Sequence, residues 1–259
     1  MKLCFSTLGC PDWTLEQVAQ MAPAIGFDGV ELRIGENKHV NTSFDSSKRK
    51  MIRKLFTDYG LDIVCLSGYT HFSGSNASAL EESGEILLSN AALAADLNAP
   101  YVRSFLGDGG LFTDRGEEVL RVYSERAAEL GVTVLLEIHD ALKTGRQAAA
   151  ILSAINSKGL GILWDIHHSV MGGEAPEETW NQLGGNIRHV HMKDASANMT
   201  PCHIGEGVLP VAGVTRMLEE KGYTGYLSYE WEKMWMPELD GPEKAFPQYV
   251  AFMKTVIGG

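Results

Sequence analysis

The stretch that decides the fold is Val132-Thr-Val-Leu-Leu-Glu-Ile-His-Asp140. An apolar, β-branched run stops abruptly on a carboxylate and an imidazole, which reads as a buried strand arriving at its end. Side chains alternate along a strand, so Thr133, Leu135, Glu137 and His139 fall on one face. A carboxylate buried at such a tip is costly unless something positive meets it. A metal ion is the most economical partner; a carboxylate merely exposed at a strand end is the competing reading. One residue does not choose between them, but repetition along the chain does.

Outward from this strand, the same unit recurs in both directions. Upstream, Lys2–Ser6 reads as a strand, followed by the capping box Thr14-Leu-Glu-Gln17 and a helix stopped by Gly26. Gly29–Arg33 is the next strand, and a helix over Ser47–Tyr59 ends at Gly60. Strand Leu61–Leu66, helix Ala79–Leu97, strand Tyr101–Phe105 and helix Arg115–Leu130 lead up to the opening stretch. Downstream come helix Arg146–Ile155, strand Leu160–Asp165, helix Glu177–Leu183, strand Ile187–Met192, helix Val211–Lys221 and strand Tyr226–Trp231, with a last helix closing the chain. Eight strands alternating with eight helices on short connections predict an α/β protein of one domain over 1–259, a (β/α)8 TIM barrel. An open doubly wound sheet would call for a phosphate-type glycine fingerprint, which the sequence lacks.

A barrel of this kind gathers its chemistry at the C-terminal ends of its strands. Strand five ends on Glu137, strand six on Asp165 with His168 just beyond, strand seven carries His191, and strand eight carries Glu230. Four consecutive strand ends bearing carboxylates or an imidazole are difficult to assign to surface decoration.

Composition narrows the partners. The chain has 259 residues and a net charge of −11, from 22 Lys and Arg against 33 Asp and Glu, which argues against a phosphate-backbone partner. The four cysteines, Cys4, Cys10, Cys65 and Cys202, form no C-x-x-C pair and suit a reduced, cytoplasmic setting. Ser6, Thr7, Gly9 and Pro11 interrupt the N-terminal apolar run before a signal-peptide core forms. No run approaches the roughly 20 apolar residues that span a bilayer. The expected partner is therefore a small molecule, with neither nucleic acid nor membrane.

At Leu136-Glu-Ile-His139, Trp164-Asp-Ile-His-His168, His189-Val-His-Met-Lys-Asp194, Ile204-Gly-Glu-Gly207 and Ser228-Tyr-Glu230 the sequence resembles the xylose isomerase-like superfamily. That group includes ketose 3-epimerases of the tagatose and psicose type, hydroxypyruvate isomerase, inosose dehydratase and endonuclease IV. The resemblance implies one divalent ion held by Glu137, Asp165, His191 and Glu230, with Glu137 and Glu230 also serving as acid/base residues. Three carboxylates and an imidazole suit a borderline-to-hard ion such as Mn²⁺, Co²⁺, Mg²⁺, Fe²⁺ or Zn²⁺. The implied activity is that of a sugar isomerase or epimerase working through a metal-stabilised enediolate on a sugar or keto-polyol. A lyase of the inosose dehydratase kind is the nearest alternative, and a sugar- or metal-binding barrel without turnover a remote one. Family habit adds a homodimer or homotetramer.

His168, His139, Lys193 and Glu206 are the expected substrate-binding residues, Glu206 from a glycine-flanked loop able to cover the site. His167 and His189 read as structural, Glu232 as the alternative ligand, and Glu31, Arg33 and His71 as residues of the mouth. Trp13, Trp164, Trp231 and Trp235 read as packing rather than sugar platforms, and Arg103 with Lys193 as thin evidence for a phosphate site. Departures sharpen the choice. Endonuclease IV has an Asp-x-His pair before its Gly-Glu-Gly, where this chain has Met199 and Pro201. The tagatose-type epimerases have a substrate-touching arginine where this chain has Ala197, while its His-x-Lys-Asp leans toward hydroxypyruvate isomerase and inosose dehydratase.

Overall fold

A computed structural model describes residues 1–107 and 112–258. Eight parallel strands, β1 (Lys2–Ser6), β2 (Gly29–Arg33), β3 (Asp62–His71), β4 (Tyr101–Phe105), β5 (Thr133–Glu137), β6 (Leu160–Asp165), β7 (Ile187–Met192) and β8 (Tyr226–Tyr229), close on themselves in chain order. Closure is by β1 pairing with β8, with Leu3 beside Leu227 and Phe5 beside Tyr229. The sheet therefore has no edge, and all eight strand ends face one mouth.

The outer layer is α1 (Leu15–Ile25), α2 (Ser46–Asp58), α3 (Ala77–Leu97), α4 (Asp114–Glu129), α5 (Gly145–Ile155), α6 (Ile166–Met171), α7 (Pro176–Leu183), α8 (Val211–Glu220) and α9 (Pro242–Val256). The expected Thr14 capping box forms: Thr14 Oγ1 accepts from Gln17 N–H at 3.2 Å and Thr14 N–H donates to Gln17 Oε1 at 2.8 Å. Gly26 then ends α1 at φ 114°, where a side chain would be strained.

Strand alternation divides the residues into two environments. Val134, Leu136 and Ile138 of the β5 region join Val30, Leu32, Ile162, Trp164 and Val190 in one apolar cluster shared with the helices. The opposite faces of the same strands carry Glu31, Arg33, Arg103, Glu137, Asp165 and His191, all buried. The barrel interior is thus polar toward the mouth, and the apolar core is the annulus around it.

Several boundaries differ from expectation. β5 ends at Glu137 and the backbone bends at Ile138, so His139 no longer continues the alternation, and Asp140 then takes a left-handed φ of 50°. β8 stops at Tyr229, leaving Glu230 one residue beyond the ladder. β3 runs on to His71, through a shift in its register against β4. The short helix α6 has no counterpart in the sequence reading. Asp165 starts it by accepting from the backbone N–H of His167 and His168 at 2.8 and 3.4 Å.

Candidate metal centre at the barrel mouth

Parallel register brings the strand tips together. Asp165 lies opposite His191, Glu137 opposite Leu163, and His191 opposite Ser228. Glu137, Asp165, His191 and Glu230 are all buried, and each offers one ligand atom within 4.8 Å of the others. The cluster expected from the sequence is therefore assembled in space.

The orientation of His191 is held from behind by Glu31. Glu31 Oε2 accepts from His191 Nε2 at 2.9 Å and from His189 Nε2 at 3.0 Å, and the Ser67 and Ser228 hydroxyls donate to the same carboxylate. Because a carboxylate only accepts, His191 carries a proton on Nε2 and turns Nδ1 toward the cluster. Nδ1 lies 3.0 Å from Glu137 Oε1 and 3.2 Å from Glu230 Oε2, distances without hydrogen-bond alignment.

Orphaned atoms test whether a cation fits. Both oxygens of Glu137, Oδ2 of Asp165 and Nδ1 of His191 are buried and make no hydrogen bond. Such atoms are expensive to leave unmatched, and a ring of oxygens with one imidazole nitrogen is a donor set suited to a divalent ion. The residues fit the ion that the resemblance implies.

Two cations flank the cluster. Arg103 Nη1 lies 3.2 Å from Glu137 Oε2 and 3.3 Å from Glu230 Oε1, bridging both glutamates. Lys193 Nζ lies 2.6 Å from Glu230 Oε2, 2.9 Å from Asp165 Oδ2 and 2.9 Å from Glu232 Oε1. Burial alone would raise the carboxylates, but the charge of Lys193 brings Asp165 down to about 2, and those of His191 and Lys193 hold Glu230 well below the usual range. The reverse applies to Lys193: burial would lower it, while Asp165 and Glu230 hold it above its ordinary value. Both carboxylates stay ionised and the ammonium stays charged at neutral pH.

Residues 19–256 match a family model described as a xylose isomerase-like TIM barrel. The chain belongs to that family. Over 258 residues it is 24% identical to fructoselysine 3-epimerase of Escherichia coli O157:H7, covering 92% of this chain and 93% of the relative. Among solved structures, a probable 3-DHS dehydratase of Bacillus anthracis superposes with a TM-score of 0.82 at 19% identity, over 98% of this chain and 99% of that one. A protein solved with a bound zinc atom superposes at 0.79 and 18% identity, over 99% and 98%. At these identities the structural likenesses establish the fold.

In this xylose isomerase-like barrel, the space above the cluster is a cavity of about 260 Å³, walled by Tyr69, Phe105, His139, Lys193, Glu230 and Trp235. His139 lines it, with the His168 ring behind at a centroid distance of 4.0 Å, and His139 Nδ1 lies 2.9 Å from Asp140 Oδ1. Burial keeps His168 below its ordinary value, so its imidazole is neutral and able to meet a hydroxyl. A more voluminous space, about 790 Å³, opens at the opposite end of the barrel among Asp62, Pro100 and Val132, away from the ligand cluster.

The remaining expected residues fall outside the ligand set. Glu206 is exposed on a turn whose backbone is pinned: the Asp194 carboxylate accepts from the N–H of Ala195, Gly205, Gly207 and Leu209 at 2.8–3.1 Å. Glu232 is half-buried and engages Lys193. Trp13, Trp164 and Trp231 are buried as expected of packing residues, whereas Trp235 is 57% exposed at the mouth. Arg103, weighed as a phosphate ligand, is already occupied by two glutamates. Its bridging role and that of Glu31 behind His191 went unread, although each is an inward charge in an otherwise apolar strand.

Proposed function

We propose that the protein is a divalent-metal-dependent isomerase or epimerase acting on a ketose or a related keto-polyol. The observation that carries this reading is the convergence of the buried ligand atoms of Glu137, Asp165, His191 and Glu230, all within 4.8 Å of one another. Glu137, Asp165, His191 and Glu230 would hold the ion. When bound, such an ion polarises a substrate keto oxygen and offsets the negative charge of an enediolate.

The chain's own groups supply the rest. Glu137 takes the proton from the carbon beside the carbonyl while the C–H electron pair forms the enediolate double bond and the carbonyl π pair moves onto oxygen, and Glu230 passes to carbon, from the other side, a proton taken from the Lys193 ammonium 2.6 Å away. Arg103 bridges both carboxylates and fixes their separation. Lys193, held charged, supports negative charge on oxygen, and His139 with His168 orients hydroxyls of the substrate. The fructoselysine 3-epimerase likeness supports this reading. The free cysteines suit a reduced, cytoplasmic setting, and among the described residues no helix is long and apolar enough to cross a membrane.

A panel of ketoses incubated with metal-loaded protein in D₂O tests it, with NMR following loss of the proton beside the carbonyl. Exchange that disappears on chelation and falls roughly 10²–10⁴-fold in Glu137→Gln or Glu230→Gln is the expected result. A metal-loaded protein that exchanges no proton in the panel sinks the proposal. The second reading, a dehydratase, is favoured by the Lys193 ammonium 2.6 Å from Glu230, which could assist departure of a hydroxyl after the same abstraction. Loss of water and growth of an enone absorbance would identify it.

A further inference from the structure

Three buried basic residues face the mouth, and they are not equivalent. Arg103 meets Glu137 and Glu230, and Lys193 meets Asp165, Glu230 and Glu232. Arg33, at the end of β2 and only 2% exposed, meets no carboxylate among the described residues. Its Nε donates to Tyr69 Oη at 3.1 Å and its guanidinium lies 5.4 Å from the centroid of the Trp235 ring. Its Nη2 is buried with no hydrogen-bond partner. A buried guanidinium without a counter-charge is costly, and in a chain with 33 carboxylates against 22 Lys and Arg the lack of a partner is informative.

The unpaired fork borders a second cavity of about 240 Å³, whose wall also contains Asn37, Lys38 and His39 and, among the described residues, no acidic side chain. Burial, reinforced by the charge of Arg33, lowers Lys38 and brings His39 down to about 4, as expected of groups crowded around an uncompensated positive charge. Tyr69 and Trp235, the two residues that steady the Arg33 guanidinium, are also walls of the cavity over the candidate metal centre. The anion-seeking corner and the reaction space therefore adjoin.

We infer that Arg33, assisted by Lys38, is an oxyanion subsite: the substrate is a keto-sugar or keto-polyol whose far end carries a carboxylate or phosphate seated against the Arg33 fork. A planar fork with free N–H groups suits either oxyanion. The assignment rests on the metal-dependent reading for what happens at the other end of the molecule, but the subsite itself does not.

Inorganic phosphate and acetate serve as probes, titrated calorimetrically and by thermal shift into the full-length protein in a buffer of larger anions. The wild type binds at least one probe and is stabilised by it, and R33M weakens that binding at least about tenfold, the worth of a charge-assisted bidentate contact. K38M weakens it less, and R33K, which keeps charge without the fork, falls between, so a poorly folding R33M does not leave the question open. Response to phosphate alone marks a phosphate ester as the natural group, and response to acetate alone a carboxylate. Manganese titrations of the same variants stay within about twofold of wild type, separating this site from the metal centre. With turnover in hand, R33M raises KM for the anionic substrate and erases its advantage over the neutral ketose. Absence of a wild-type response to either probe overturns the subsite, as does a response that R33M leaves unchanged. A protein that responds as expected yet turns over no ketose retains the subsite and loses the catalytic reading instead.

Discussion

Glu31 shows how one residue acquires its role only in three dimensions. In sequence it is a carboxylate in a strand, and in the structure it holds the two imidazoles of His189 and His191. Glu31→Gln replaces a pure acceptor with an amide that can donate, which frees the His191 ring to turn. We expect manganese affinity to fall roughly 10–100-fold, measured by calorimetry, with the far-ultraviolet spectrum unchanged. The protonation of His191 gives a second expectation. Burial would lower it, but Glu230, Glu31 and Glu137 raise it well above its ordinary value, so it holds a proton at pH 7 when no ion is bound. Metal binding must expel that proton, so affinity rises with pH until the ring is neutral. Calorimetry in buffers of different ionisation enthalpy should read about one proton released at neutral pH. A buffer-independent binding heat would contradict it.

At the scale of elements, strand ends and their loops differ in how they are held. Glu206 was expected on a loop free to cover the site, yet the loop after β7 is anchored by the four backbone N–H groups that Asp194 accepts. Asp194→Ala leaves those donors unmatched. It should cost roughly 2–4 kcal/mol in urea unfolding and expose the segment near Gly205–Gly207 to proteolysis. Element type was legible along the chain because apolar periodicity and stop signals such as the Thr14 box and Gly26 are local. Element ends were less so. β5 stops at Glu137 where the chain bends at Ile138, and α6 starts where the Asp165 carboxylate caps it while facing the candidate metal centre. A side chain serving two elements at once leaves no periodic trace.

For the molecule as a whole, the cluster of buried charge joins stability to ligand and to pH. An ion that binds only the folded chain stabilises it by about 2.7 kcal/mol at a hundred times its Kd, so manganese should raise Tm and a chelator should reverse the gain. The acid limb follows from Asp165. Its folded value of about 2 lies below the usual 3.8, so its contribution is complete above pH 4 or so and is lost as pH falls through about 2. Asp165→Asn should flatten that limb in pH-dependent denaturation. Local sequence pattern sufficed for the barrel and the four inward candidate ligands, because alternation within a strand and the order of strands around a closed sheet are both local properties. Long-range contacts place Glu31 behind His191 and Arg103 between two glutamates, and leave Arg33 without a counter-charge among the described residues. Such pairings join residues far apart in the chain, and a side chain's partner is fixed by the register and closure of the whole sheet.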